Sequence, residues 1–121
     1  MLETLSLEGK SVVITGGCTG LGLAMVRDMA RAGADLVIAG RRSGPIEEAA
    51  AEAESLGVKA FPVATDVTDS TQVAALMKAC LDRFGKIDVL LNNAGAVSDN
   101  VRKPIWELTD EEWDRVMKVN L

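Results

Sequence analysis

Short apolar runs alternate with segments of helical periodicity along the whole chain, and few folds accommodate that rhythm. Ser11-Val12-Val13-Ile14-Thr15 is short, β-branched and stopped by Gly16-Gly17, which reads as a buried strand. Leu36-Val37-Ile38-Ala39 reads as a second, Val58 to Ala64 as a third and Ile87-Asp88-Val89-Leu90-Leu91 as a fourth. A first helix is expected from about Gly20 to Ala32, with Gly22, Met25, Val26, Met29 and Gly33 on one face and Gly33 at a left-handed C-terminal cap. A second opens around Pro45, places Glu47 and Glu48 near its positive end, and stops at Gly57. The next starts at an Asp69 cap with Gln72 three residues on, and carries a stripe of Val73, Leu76, Met77, Cys80, Leu81 and Phe84 up to Gly85. After a polar loop, the last helix has Thr109 as cap and Glu112 as its reciprocal partner. Leu108 is placed to staple onto Trp113, and Trp106 and Trp113 are expected to anchor that helix.

This β-α-β-α-β-α-β-α order implies an α/β fold: a doubly wound parallel sheet, helices on both faces, right-handed crossovers. Pro62 lacks the ladder N–H, so the third strand belongs at a sheet edge. The 121 residues suit one domain, 1–121, since roughly 100–150 residues is the commonest domain size. Hydrophobic residues at 48% and charged residues at 26% give a globular balance. A net charge of −5 disfavours a nucleic-acid partner, whose phosphates need a basic surface. No apolar run approaches the roughly eighteen residues of a membrane span, and Met1-Leu2-Glu3-Thr4 lacks the basic and apolar regions of a secretory signal. The chain has no His and no Tyr, which removes His-based triads and His zinc sites; no metal is expected. Two isolated cysteines, Cys18 and Cys80, suggest a reducing, cytoplasmic setting over a disulfide framework.

Between the first strand and the first helix stands Thr15-Gly16-Gly17-Cys18-Thr19-Gly20-Leu21-Gly22. A strand turning sharply into a helix aims free backbone N–H groups and the positive end of the helix dipole at one point, which suits a pyrophosphate. Gly16 permits the turn, Gly20 lets a phosphate approach the backbone, and Gly22 lets helix and strand pack closely. The spacing is neither the general Gly-x-Gly-x-x-Gly fingerprint nor a Walker P-loop, because no Gly-Lys-Ser/Thr follows. About 20 positions past such glycines an acidic residue binds the ribose 2′-hydroxyl of NAD, whereas Arg accommodates the 2′-phosphate of NADP. Here that acidic slot is Gly40, followed by Arg41 and Arg42, which fits NADP(H) better than NAD(H), although the pair also fits a solvated surface.

Thr-Gly-x-x-x-Gly-x-Gly at residues 15–22 together with Asn-Asn-Ala-Gly at 92–95 resembles the short-chain dehydrogenase/reductase family, and the resemblance runs from about Glu8 to Leu121. It implies a Rossmann-type sheet of about four strands in the order 3-2-1-4, truncated relative to the family. It also implies a parent reaction that passes a hydride between NADP(H), or NAD(H), and an alcohol or carbonyl carbon. By this resemblance the cofactor meets Gly16, Cys18, Thr19, Gly20, Leu21 and Gly22 of the turn, then Arg41 and Arg42, Asp66 and Val67, and Asn93, Ala94 and Gly95. Cys18 itself reads as a filler within the motif and Cys80 as a core residue. Asp66 matches the position that holds the adenine ring and equally fits a turn residue before the Asp69 cap. Asn92 is expected to cross-link neighbouring strands through its amide. Asn120 matches the family's catalytic Asn, with a frayed, solvated helix end as the alternative. The family's Ser and Tyr-x-x-x-Lys have no counterpart in these 121 residues, so this stretch should be inactive alone. Its fourth strand should present an open edge and apolar surface, which favours a homo-oligomer. The rival readings are a non-catalytic nucleotide-binding or assembly module, and another Rossmann-type enzyme such as a methyltransferase, which Asn-Asn-Ala-Gly disfavours.

Overall fold

The computed structural model describes residues 5–95 and 104–121; part of the polar stretch expected before the last helix, residues 96–103, lies outside them. Strand β1 (Ser11–Thr15) leads into helix α1 (Gly20–Arg31), β2 (Asp35–Gly40), α2 (Ser43–Ser55), β3 (Ala60–Ala64), α3 (Ser70–Phe84) and β4 (Val89–Leu91). A short 3-10 turn at Ile105–Glu107 precedes α4 (Asp110–Asn120). The four strands are parallel in the order β3-β2-β1-β4. Pro62 therefore sits on an edge strand, opposite Ile38, as its missing N–H requires.

Both faces of the sheet are covered, which is why its central strands are apolar at every position rather than at alternate ones. Val12 and Ile14 of β1 and Leu36 and Ile38 of β2 pack on one face with Val26 and Ala30 of α1 and Ile46, Ala49 and Ala53 of α2. Val13, Val37, Ala39 and Phe61 pack on the other face with Leu76 and Cys80 of α3. The small residues of α2 let that helix sit close on the sheet. Each fully buried Ile or Leu of this core contributes roughly 1.5–3 kcal/mol of transfer free energy.

The helix signals are met with local exceptions: α2 starts at Ser43, so Pro45 is its third residue and not its first, and Glu47 and Glu48 lie beyond its first turn. Asp69 accepts from the N–H groups of Thr71 and Gln72, and Gly85 closes α3 in the left-handed conformation. Thr109 and Glu112 form the reciprocal capping box of α4. Strand β3 starts at Ala60 and not at Val58, where Lys59 instead donates its N–H to Asp35 Oδ1. Strand β4 is limited to Val89–Leu91, because Asp88 turns its carboxylate onto the Ser11 N–H at 2.8 Å. Leu81, expected in the α3 stripe, is 48% exposed. Trp106 and Trp113 are 80% and 51% exposed, so neither anchors α4 among the described residues.

Candidate functional site

All four strands end on the same side, and β1 lies between β2 and β4. The chain thus leaves β1 in one direction to build β2 and β3, and β4 is added on the other side. At such a switch point the loops after neighbouring strands diverge and open a crevice beyond the carboxyl ends of the strands. A cleft of about 730 Å³ lies there. It is walled by the turn after β1, the end of β2, the segment after β3 and the loop after β4, and every residue of the expected cofactor set lines it. Ala39, Gly40, Thr65 and Val119 line it as well.

The turn owes its shape to its small residues. Gly20 has φ +53°, and a Cβ there would meet no atom within 4 Å, so this glycine opens the head of α1 toward the cleft. A Cβ on Gly22 would overlap the carbonyl oxygen of Gly16 and lie 2.5 Å from Asn93 Nδ2. Only glycine at 22 lets α1 start against the strand end. Helix α1 has Thr19 at its N-cap position with no side-chain cap hydrogen bond, as α2 has Arg42, whereas α3 and α4 are both capped by side chains. The first N–H groups of α1 thus face the cleft with no side-chain cap acceptor, and they suit an anion.

One hydroxyl joins this turn to the loop after β4. Thr15 Oγ1 accepts from the N–H groups of Asn93 at 3.1 Å and Ala94 at 3.0 Å, and Asn93 Nδ2 donates to the Gly16 carbonyl at 3.0 Å. The amide that ties the two strand ends together is therefore that of Asn93. Asn92, expected in this role, is exposed. Both residues follow the end of β4, and the loop there puts Asn93 against the Gly16 carbonyl at the end of β1. In the sequence Thr15 reads only as the last β-branched residue of an apolar run. The signal in the sequence is a hydroxyl residue closing a strand that reads as buried, since a buried polar group needs partners, and Thr15 is 6% exposed.

Asp66 serves the turn and the cleft together. Hydrogen bonds from the Thr68 hydroxyl at 2.7 Å and the Thr68 N–H at 2.9 Å hold its carboxyl below the ordinary range, and the charges of Arg41 and Lys118 add to this. Arg41 and Arg42 are exposed at the end of β2, without a hydrogen bond or ion pair among the described residues. Asn120 does not line the main cleft. It borders a neighbouring one between α3 and α4, and its Oδ1 lies 2.9 Å from where a Cβ of Gly95 would stand, so it reaches the loop after β4.

The model of the short chain dehydrogenase family matches residues 10–121. The chain belongs to that family. Among its relatives is a hydroxy-methyl-oxo-hexahydro-indene-carboxyl-CoA reductase of Mycobacterium tuberculosis, 42% identical over 117 residues, covering 95% of this chain and 44% of the reductase. A short-chain type dehydrogenase/reductase from Mycobacterium marinum superposes with TM-score 0.91 at 32% identity, covering 100% of this chain and 49% of that one. A 3-ketoacyl-(acyl-carrier-protein) reductase from Brucella melitensis, solved in complex with NADH, superposes with TM-score 0.87 at 37% identity, covering 96% and 46%. The chain thus spans less than half the length of these short-chain dehydrogenases. The family is one of NAD(P)(H)-binding oxidoreductases. Among the described residues no helix is long and apolar enough to cross a membrane.

Proposed function

We propose that these residues form the NADP(H)-binding portion of a short-chain dehydrogenase/reductase, one dinucleotide-binding unit over 1–121, whose reaction passes a hydride between NADP(H) and an alcohol or carbonyl carbon. The observation that carries this reading is a convergence in one cleft. The uncapped head of α1, the open backbone at Gly20 and two exposed arginines, without a hydrogen bond or ion pair among the described residues, all border the crevice at the switch point. The α1 N–H groups, with Gly16, Cys18, Thr19, Leu21 and Gly22 around them, would hold the pyrophosphate. Arg41 and Arg42 would hold the 2′-phosphate, Asp66 and Val67 would border the adenine, and Asn93, Ala94 and Gly95 would line the ribose on the nicotinamide side. When bound, the nicotinamide ring donates or accepts the hydride.

Within this stretch Asn120 is the one candidate for a catalytic role, holding a water in the proton path from its place beside Gly95. The 121 residues contain no Tyr, so the general acid of the family's reaction is not among them, and on their own they should bind cofactor without turning over a ketone. Two free thiols, Cys18 and Cys80, fit a reducing cytoplasmic setting. Sedimentation would test the homo-oligomer expected for the protein.

Calorimetric titration tests the cofactor assignment. NADP⁺ should bind at least about tenfold tighter than NAD⁺, since charge-assisted hydrogen bonds contribute roughly 1.5–3 kcal/mol. The double substitution Arg41→Ala/Arg42→Ala should remove that advantage and leave NAD⁺ affinity nearly as it was. Equal affinities in the unsubstituted protein, or an unchanged ratio in the double variant, would refute the phosphate site.

A further inference from the structure

Gly40 is the position from which an acidic side chain would reach the ribose 2′-hydroxyl of a non-phosphorylated dinucleotide. Alternate strand residues share a face, so a side chain at 40 would point the same way as Leu36 and Ile38, toward α1 and α2. A Cβ at Gly40 would stand 2.7 Å from Ile46 Cγ2 and 3.8 Å from Cys18 Sγ. Carbon atoms in good contact sit about 3.5–4.0 Å apart, so the first of these is a clash.

Neither side of that clash yields readily. Ile46 lies in the first turn of α2, is 1% exposed, and packs in the core with Leu36, Ile38, Ala49 and Ala50. Its Cγ2 is fixed directly on a β-branched carbon, whose χ1 is restricted in a helix. Gly40 is held by the ladder, opposite Ala64, and its carbonyl accepts from the Thr65 N–H at 2.8 Å.

We propose that Ile46, which does not itself line the cofactor cleft, is a specificity-determining positioning residue: its Cγ2 methyl fills the volume a side chain at position 40 needs, so β2 cannot end in a carboxylate and the ribose 2′ position is left to Arg41 and Arg42. In its ligand this rests on the NADP(H) reading above; in its packing it stands independently. Sequence alone shows a missing acid at position 40. The structure adds that restoring the acid is not enough.

The test compares Gly40→Asp, Ile46→Ala and the pair in the intact protein, with NAD⁺ and NADP⁺ titrated against each. Gly40→Asp alone should lower the denaturation midpoint and leave NAD⁺ affinity no better than in the unsubstituted protein. Adding Ile46→Ala should raise NAD⁺ affinity over Gly40→Asp by about tenfold, the worth of a carboxylate–hydroxyl hydrogen bond, and weaken NADP⁺ by like-charge repulsion. Ile46→Ala alone should keep the original NADP⁺-to-NAD⁺ ratio, which separates loss of packing from change of specificity. Should Gly40→Asp not fold, the milder Gly40→Ala reads the same clash: it should cost less stability when Ile46 is Ala than when it is Ile. A gain in NAD⁺ affinity from Gly40→Asp alone, no gain on adding Ile46→Ala, or additive stability effects would each overturn the proposal. Equal cofactor affinities in the unsubstituted protein would instead strike the NADP(H) reading, and the comparison of Gly40→Asp with the pair would still decide this one.

Discussion

Single atoms decide whether the turn after β1 can exist. A methyl at position 22 would enter the space of the Gly16 carbonyl oxygen and crowd Asn93 Nδ2, and a backbone carbonyl cannot swing aside as a flexible side chain would. Gly22→Ala should therefore destabilise the protein by about 3 kcal/mol, the upper part of the overpacking range, and weaken cofactor binding with it. A denaturant midpoint equal to that of the unsubstituted protein would mean that α1 starts elsewhere. These demands are partly visible in sequence, because a glycine at a fixed place in a strand-to-helix motif announces close packing. What the glycine packs against is not visible: the Asn93 amide arrives from a residue more than seventy positions away in the chain.

Among the elements, the contrast between helix heads carries the most meaning. Helices α3 and α4 satisfy their first N–H groups with Asp69 and Thr109, whereas α1 and α2, whose N-cap residues Thr19 and Arg42 line the cleft, have no such cap. Both caps were legible from residue spacing, since capping is a local matter of three or four residues. The bond between β1 and the loop after β4 was legible only as a type of contact, with its residue misplaced by one. Thr15→Val should remove the acceptor of the Asn93 and Ala94 N–H groups at the cost of about 1–3 kcal/mol, whereas Thr15→Ser should keep most of it. Denaturation of both variants checks this, and cofactor affinity should fall in the Val variant together with stability. If Val and Ser behave alike, the hydroxyl does not hold the loop.

Across the whole molecule, the end of the sheet opposite the cleft is closed by charge. Asp88 accepts from the Ser11 N–H and pairs with Lys86 at 3.0 Å, and Lys86 in turn donates to the Gly9 carbonyl at 2.6 Å. The Ser11 N–H foremost, and then Lys86, hold the Asp88 carboxyl below its ordinary value. A carboxyl lowered in the folded state adds stability above its unfolded pKa, near pH 4, and loses it as pH falls through the folded value. Stability should accordingly decline below about pH 4, and Asp88→Asn should flatten part of that decline. Urea midpoints measured from pH 7 downward give the comparison; parallel curves for the two proteins would rule the clamp out. On the same scale, the fold class followed from the alternation of periods, the edge place of β3 from Pro62 and the strand order from the family resemblance, and the structure bears all three out. By itself the sequence determined the order and kind of the strands and helices, which glycines bend the chain and that α3 and α4 are capped, because those depend on neighbours within a few residues; the first residues of β3 and β4 it did not. The tertiary structure alone decided that Asn93 and not Asn92 faces β1, that Leu81 and both tryptophans point outward, and that Ile46 occupies the space beside Gly40. Each of those depends on where another element stops or packs, and no local spacing encodes that.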